Sequence, residues 1–223
     1  MSFTRFAVFY LPPEGALADF GAGWLGWDVA RGKAAPRLDL PGLDAATLTP
    51  RKYGFHGTLK PPFRLVEGRG PVDLATAVER LAGTLAPARC AGLQIRCLGR
   101  FLALTPKGPS DALARIASLC VRELDGFRAP AGEAELARRR KAGLSQRQEA
   151  LLTRWGYPYV MEEFRFHLTL TGNLQADALA QWRDTASAHL PCLPAPFPLD
   201  EVALVGERQD GRFELIQRYA LTG

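Results

Sequence analysis

The segments Phe55-His56-Gly57-Thr58-Leu59 and Phe166-His167-Leu168-Thr169-Leu170 share one grammar, Phe-His-x-Thr-Leu, and hold two of the three histidines in the chain. Histidine is the side chain whose ordinary pKa, about 6.5, lets it give or take a proton near neutrality. Two imidazoles facing one reacting centre from opposite sides can act as general base and general acid. The threonine two residues after each adds a hydroxyl donor, and donors beside a proton-transfer pair suit a centre where negative charge builds on oxygen. A phosphate diester is the commonest substrate of that description. The pattern therefore points to phosphoryl chemistry with His56, Thr58, His167 and Thr169 as its working residues.

Elements must hold these groups in place, and residues of the Phe, Thr and Leu type favour extended strands, where side chains at i and i+2 share a face. His56 and Thr58 then point one way and Phe55, Gly57 and Leu59 the other, with the same split in the second copy. Packing alone would fix only the Phe and Leu positions. Extending the alternation places Gly54 and Lys60 on the His56 face, and Arg165 and Thr171 on the His167 face. Arg165 offers a fork for phosphate oxygens and Lys60 a point charge. Lys60, beside Pro61-Pro62 where the strand is expected to end, reads equally well as a solvated edge charge, and Gly54 would leave room for a ligand. Tyr159, just ahead of the second motif, is a candidate to stack on a base or to pack the approach to the strand.

On these residues the chain resembles the two-histidine (2H) phosphoesterase superfamily, which includes bacterial RNA ligase/cyclic phosphodiesterases. The resemblance implies a bilobal fold with antiparallel sheets lining a central cleft, one motif from each lobe. It also implies hydrolysis, or reverse ligation, of cyclic phosphates or 2′,5′-linked esters without a metal. Under it His56 and His167 are the acid/base pair, and Thr58 and Thr169 hold the phosphate. A narrower likeness, over the segments Pro50 to Phe63, Arg154 to Val160 and Glu163 to His167, is to a bacterial branch assigned to phosphonate metabolism and associated with carbon-phosphorus lyase operons.

Around the motifs the order is motif strand, helix, hairpin, twice. A strand is expected over 3–11 and a helix over 14–24. After the first motif come a helix capped by Asp73 and running to about 85, then a hairpin of 93–98 and 100–105. After the second come a helix over 176–190 and strands 199–206 and 212–221. The hairpin returns even look alike, Gly99-Arg100-Phe101 beside Gly211-Arg212-Phe213. Between the halves lie helices over 110–124, 133–141 and 145–155, the last with a Ser145/Gln148 capping box. The expectation is an α+β fold, one bilobal domain over 1–223. Its first motif lobe covers about 50–106, its helical connection 110–155 and its second motif lobe 160–223, with the strand 3–11 in front.

At 223 residues and 47% hydrophobic, the chain can bury a proper core. No signal peptide and no apolar run of about 18 residues is visible, so a cytoplasmic protein without membrane partners is expected. Cysteines 90, 97, 120 and 192 form no CxxC pair and read as reduced, buried residues. Two histidines with threonines beside them and no matching carboxylate make a poor metal site, so neither metal nor cofactor is expected. The net charge of +5 favours an anionic partner, while the run Arg138-Arg139-Arg140-Lys141 reads as a solvated helix end rather than an RNA contact. His189 fits a helix C-terminus.

The activity expected is a phosphodiesterase acting on a small phosphate ester, a nucleotide or an RNA end, by a monomer. Two alternatives stand beside it: a non-catalytic binding module for RNA ends or a phosphorylated metabolite, and an RNA 2′,5′-ligase.

Overall fold

A computed structural model of the chain describes residues 3–141 and 143–223. Its strands are β1 (Arg5–Tyr10), β2 (Trp27–Asp28), β3 (Lys33–Ala34), β4 (Gly57–Phe63), β5 (Ala88–Cys90), β6 (Leu93–Leu98), β7 (Phe101–Pro106), β8 (Leu168–Thr169), β9 (Phe197–Leu199), β10 (Glu201–Glu207) and β11 (Phe213–Ala220). Its helices are α1 (Ala16–Leu25), α2 (Leu43–Ala46), α3 (Pro71–Ala82), α4 (Asp111–Glu123), α5 (Glu133–Arg140), α6 (Gln146–Trp155) and α7 (Ala176–His189).

Seven strands form one sheet in the order β11-β10-β1-β4-β8-β7-β6, every pair antiparallel. The α+β class is as expected. One face of this sheet carries the main core, where Phe6, Val8 and Tyr10 of β1 meet Trp24 of α1, Leu74 and Val78 of α3, Leu113 and Ile116 of α4, and Trp182 of α7. On the other face, Ala7 and Phe9 of β1 join Ala203 and Val205 of β10 with Phe213 and Trp27. Strict alternation along β1 thus serves two apolar layers, as a strand buried on both faces requires.

The two repeats are interleaved rather than laid side by side. Helix α3 follows β4 and packs on β10 and β11, while α7 follows β8 and packs on β6 and β7. Each hairpin crosses to the other half: β6-β7 pairs with β8, and β10-β11 reaches β4 through β1. The crossing points, β5 and β9, pair with one another. The lobe limits 50–106 and 160–223 therefore describe order along the chain, whereas the spatial halves are β11-β10-β1-β4 with α3 and β8-β7-β6 with α7.

Local signals hold with small shifts. Ser145 caps α6, its hydroxyl accepting from the Gln148 N–H at 3.2 Å while Gln148 Oε1 accepts from the Ser145 N–H at 3.1 Å. Asp73 is not the cap of α3; it lies inside the first turn and its carboxylate accepts from the Gly70 N–H at 2.8 Å. Gly99 and Gly211, with φ of +63° and +80°, make the two hairpin turns in left-handed conformations that suit glycine.

Candidate active site

The first motif is aimed by a turn. A single 3₁₀ turn over Pro50–Lys52 ends at Gly54, whose N–H donates to the Arg51 carbonyl at 3.2 Å and whose φ is +69°. A side chain there would collide with Val29, so the space at Gly54 is taken by the protein and not kept for a ligand. The turn buries Phe55 in the main core and leaves His56 half-buried just ahead of β4.

The same wiring then appears in both motifs. His56 Nδ1 lies 2.9 Å from the Gly54 carbonyl, and His167 Nδ1 lies 2.7 Å from the Arg165 carbonyl, each two residues back. A carbonyl only accepts, so each Nδ1 carries the hydrogen and each Nε2 is left as the basic nitrogen. The two motifs also pack on each other. Gly57 pairs with Leu168 across β4 and β8, and the Phe166 ring lies where a Cβ on Gly57 would be, 2.8 Å away. Phe55, Leu59, Phe166, Leu168 and Leu170 all enter the main core, as the alternation demands.

Alternation fails one step later, and the reason is a β-bulge. Phe9 of β1 stands opposite Thr58, yet Val8 stands opposite Lys60, so Leu59 is an extra residue and parity flips. Lys60 turns into the core, 2% exposed, where Nζ donates to the Val121 carbonyl at 3.1 Å and lies 4.0 Å from Asp125. The strand also continues through Pro61-Pro62 to Phe63 instead of stopping. At those residues the side of β4 away from β1 has no strand partner, because β8 reaches only Gly57. Thr171 is likewise buried, its hydroxyl accepting the Leu102 N–H at 3.0 Å.

Two other expected site residues are displaced. Arg165 contributes its carbonyl to His167, while its guanidinium is exposed and forms no hydrogen bond or ion pair among the described residues. Tyr159 is 43% exposed and rests edge-on against Tyr157, whose ring is the one in the cleft wall. His189 caps the end of α7, 2.9 Å from the Thr185 carbonyl, as expected. All four cysteines are free, but Cys192 is exposed.

The cleft over His56, Thr58 and Thr169 has a volume of about 880 Å³. Phe9 forms part of its wall, stacked on the His56 ring with centroids 3.8 Å apart. His56 Nε2 is 3.0 Å from the Thr58 hydroxyl, which donates to it. Several wall residues carry no motif: Arg5, Lys52, Arg64, Arg138 and Arg139, with the carboxylates of Glu135 and Glu207. Arg5 and Glu207 come together only through the pairing of β1 with β10, to which nothing local points. The basic run on α5 is visible in the sequence, where it reads as a solvated helix end. In the structure Arg138 and Arg139 line the cleft, with Arg139 over the Tyr157 ring at 4.7 Å and bonded to Glu135 at 2.7 Å, while Arg140 pairs with Glu149.

Burial sets the charge states. Desolvation pushes the His56 imidazole down to about 4; the Gly54 carbonyl opposes this and the neighbouring His167 adds to it. His167 is also lowered by desolvation, against the Arg165 carbonyl. Burial would raise the Glu207 carboxyl, but hydrogen bonds from Arg5 and Thr4 hold it below the usual carboxylate range. Both imidazoles are therefore neutral at pH 7.

A family model described as a protein of unknown function (DUF1045) matches residues 58–214, well over half the chain. Two curated relatives, from Janthinobacterium sp. (strain Marseille) and Laribacter hongkongensis (strain HLHK9), are both named ribose 1,5-bisphosphate phosphokinase PhnN. The first is 39% identical over 94% of this chain and 48% of its own length, the second 34% identical over 83% and 44%. The chain thus spans about half the length of these relatives. Among solved structures, E. coli LigT with 3′-AMP is similar at a TM-score of 0.48, 16% identity and full coverage of both chains. TT0787 of Thermus thermophilus gives 0.45, 14% and 98% of both. No helix among the described residues is long and apolar enough to cross a membrane.

Proposed function

This chain belongs to the DUF1045 family, and for it we propose metal-independent hydrolysis of a cyclic or 2′,5′-type phosphate ester, with His56 and His167 as the acid/base pair. The observation that carries the reading is the shared wiring of the two imidazoles. Each donates from Nδ1 to the carbonyl two residues back, which leaves each Nε2 basic, and each is followed by a threonine in the cleft wall. That leaves one nitrogen on each ring able to take or give a proton, which supports an acid/base pair.

In the reaction, His56 Nε2 takes a proton from water as the water oxygen attacks phosphorus, and His167 Nε2 delivers a proton to the departing ribose oxygen. His56 takes the base role because burial lowers it to about 4, which makes it the more firmly neutral of the two imidazoles. His167 takes the acid role as the anionic substrate raises its affinity for a proton. On substrate binding the Thr58 hydroxyl turns from His56 Nε2 to the phosphate, which frees Nε2 for the water, and it then donates with the Thr169 hydroxyl to the phosphoryl oxygens as charge grows there. The cleft volume is that of a small-molecule or nucleotide site.

The relatives' names concern phosphorylated ribose, which supports a ribose phosphate ester as the substrate and a place in phosphonate metabolism. Their kinase name finds no phosphate loop in this chain, since no Gly-x-x-x-x-Gly-Lys-Ser/Thr run occurs in it. The test is hydrolysis by the purified chain, in the presence of chelator, of a panel of ribose cyclic phosphates, 2′,3′-cyclic nucleotides and 2′,5′-linked dinucleotides. Turnover of at least one class, lost in His56→Ala and His167→Ala, is expected. Binding without turnover across the panel, or hydrolysis abolished by chelator, overturns the reading.

A further inference from the structure

We infer that the cleft contains a second anion subsite, formed by Lys52, Arg64 and Arg138, that takes a terminal phosphate on the substrate; the phosphodiesterase reading fixes only where the first, scissile phosphate lies. Charge counting is the first observation. Five cations line the cleft against two carboxylates, and both carboxylates are already committed. Glu207 receives two bonds of 2.5 Å from Arg5, and Glu135 receives Arg139 at 2.7 Å. Lys52, Arg64 and Arg138 have no ion-pair partner among the described residues, which leaves a surplus of three positive charges in one cavity. Arg139 adds an unspent donor, its Nε being buried without an acceptor. A buried donor left unpaired costs free energy that an arriving acceptor recovers.

Register is the second observation, because it places the surplus away from the histidines. Phe9 stacks on His56, and Arg5 lies on the same face of β1 four residues off, about 13 Å along the strand. Phe63 pairs with Phe6, which brings Arg64, the next residue, level with Arg5. Lys52 is close enough to Glu207 to help lower its carboxyl, and Glu135 of α5 is close enough to bear on Arg5. Arg64 thus lies toward the Arg5 end of the cleft, with Lys52 between Tyr53 and Glu207 and with Arg138 one helical turn after Glu135 beside them. Helix α5 lies in the segment between the two halves of the repeat and has no counterpart in either, so this end breaks the two-fold pattern that the histidines obey.

The surplus also matches a charge. A terminal phosphate brings about 1.5 to 2 negative charges to the three uncompensated cations, whereas an internucleotide phosphate at the same place would bring only one. Fork-like guanidiniums at Arg64 and Arg138 suit a terminal phosphate, which presents three oxygens.

Binding, which needs no turnover, tests this separately from hydrolysis. Calorimetry at about 0.1 M salt would compare adenosine 3′,5′-bisphosphate, 3′-AMP and the dinucleotide ApAp on the intact chain and on an R64A/R138A variant, whose folding is checked by thermal melting. The bisphosphate should bind at least about tenfold more tightly than 3′-AMP, and in the variant that ratio should fall to about one. Equal affinity for the two mononucleotides, or a ratio the variant leaves intact, overturns the subsite. ApAp matching the bisphosphate overturns its preference for a terminal phosphate. If the preference is seen but no ester is hydrolysed, the subsite stands and the catalytic reading falls.

Discussion

His56 lies flat on Phe9 with ring centroids 3.8 Å apart and a 26° tilt, whereas His167 stands 5.8 Å from Phe101 at 54°. His56 Nε2 has a threonine hydroxyl at 3.0 Å, and His167 Nε2 has no hydrogen-bond partner among the described residues. The first motif opens a seven-residue strand, the second a two-residue one. Yet the backbone wiring at Nδ1 is common to both, and so is the fate of the residue four places on. Lys60 and Thr171 are both turned into the core and spent on main-chain bonds. The difference teaches that the residue just ahead of each motif sets the tautomer through its carbonyl, while more distant neighbours set how firmly each ring is held and how reluctantly it takes a proton.

The strongest way to break this comparison is to remove one ring at a time. His56→Ala and His167→Ala should each lower kcat/KM on the best substrate by about 10³-fold or more, with the melting temperature checked to exclude unfolding. A residual rate near wild type in either variant would mean that the two half-sites do not work as a pair.

Next in size is the effect of pH on stability, which should belong to one half more than the other. The folded-state pKa of His56 is about 4 against an ordinary 6.5. Between those values the unfolded chain holds a proton that the native chain does not, so stability rises with pH across the window and is lost as pH falls through it. The shift from 6.5 to about 4 corresponds to at most about 3 to 4 kcal/mol. Denaturant titrations between pH 7 and 4 should show this loss, and a His56→Asn variant should show a shallower slope. An unchanged slope would contradict the account of the buried ring.

The threonines separate the halves by a smaller factor. Thr58→Val removes both a phosphate donor and the bond to His56, so a loss on the order of 10²-fold is expected. Thr169→Val removes only the former and should cost about tenfold less. Equal losses, measured as kcat at saturating substrate, would show that the Thr58–His56 bond does nothing for the reaction.

Much of this site could be read from residue order because its parts are local. The tautomer lock joins residues two apart, the apolar face of each motif follows strand alternation, and the α6 cap lies within four residues. What escaped reading depends on pairing between distant segments. The bulge that inverts Lys60 is a property of β4 against β1, and Phe9 reaches His56 only because β1 is the neighbour of β4. The interleaving of the repeats is set by which hairpin pairs with which motif strand, and alternation within one strand carries no such information. Tyr157 and Tyr159 share every local signal; only the docking of α5, with Arg139 over one ring, separates them.

The smallest expected effect is the most direct check on the bulge. Strand parity alone puts Lys60 beside His56 in the cleft, and a Lys60→Met variant would then lose substrate affinity. In the structure Nζ serves the end of α4 through the Val121 carbonyl, and desolvation pushes the amine down to about 8, only partly opposed by Asp125. Methionine matches the volume and removes the buried charge, so kcat/KM should stay within about twofold of wild type. Stability should change instead, and with a definite sign. Between about 8 and 10.5 the unfolded chain holds the Lys60 proton and the native chain does not, so wild-type stability rises with pH there. Lys60→Met should lack that rise. A variant with its alkaline stability profile intact and its KM raised would put Lys60 back in the cleft and remove the bulge from the explanation of the first half-site.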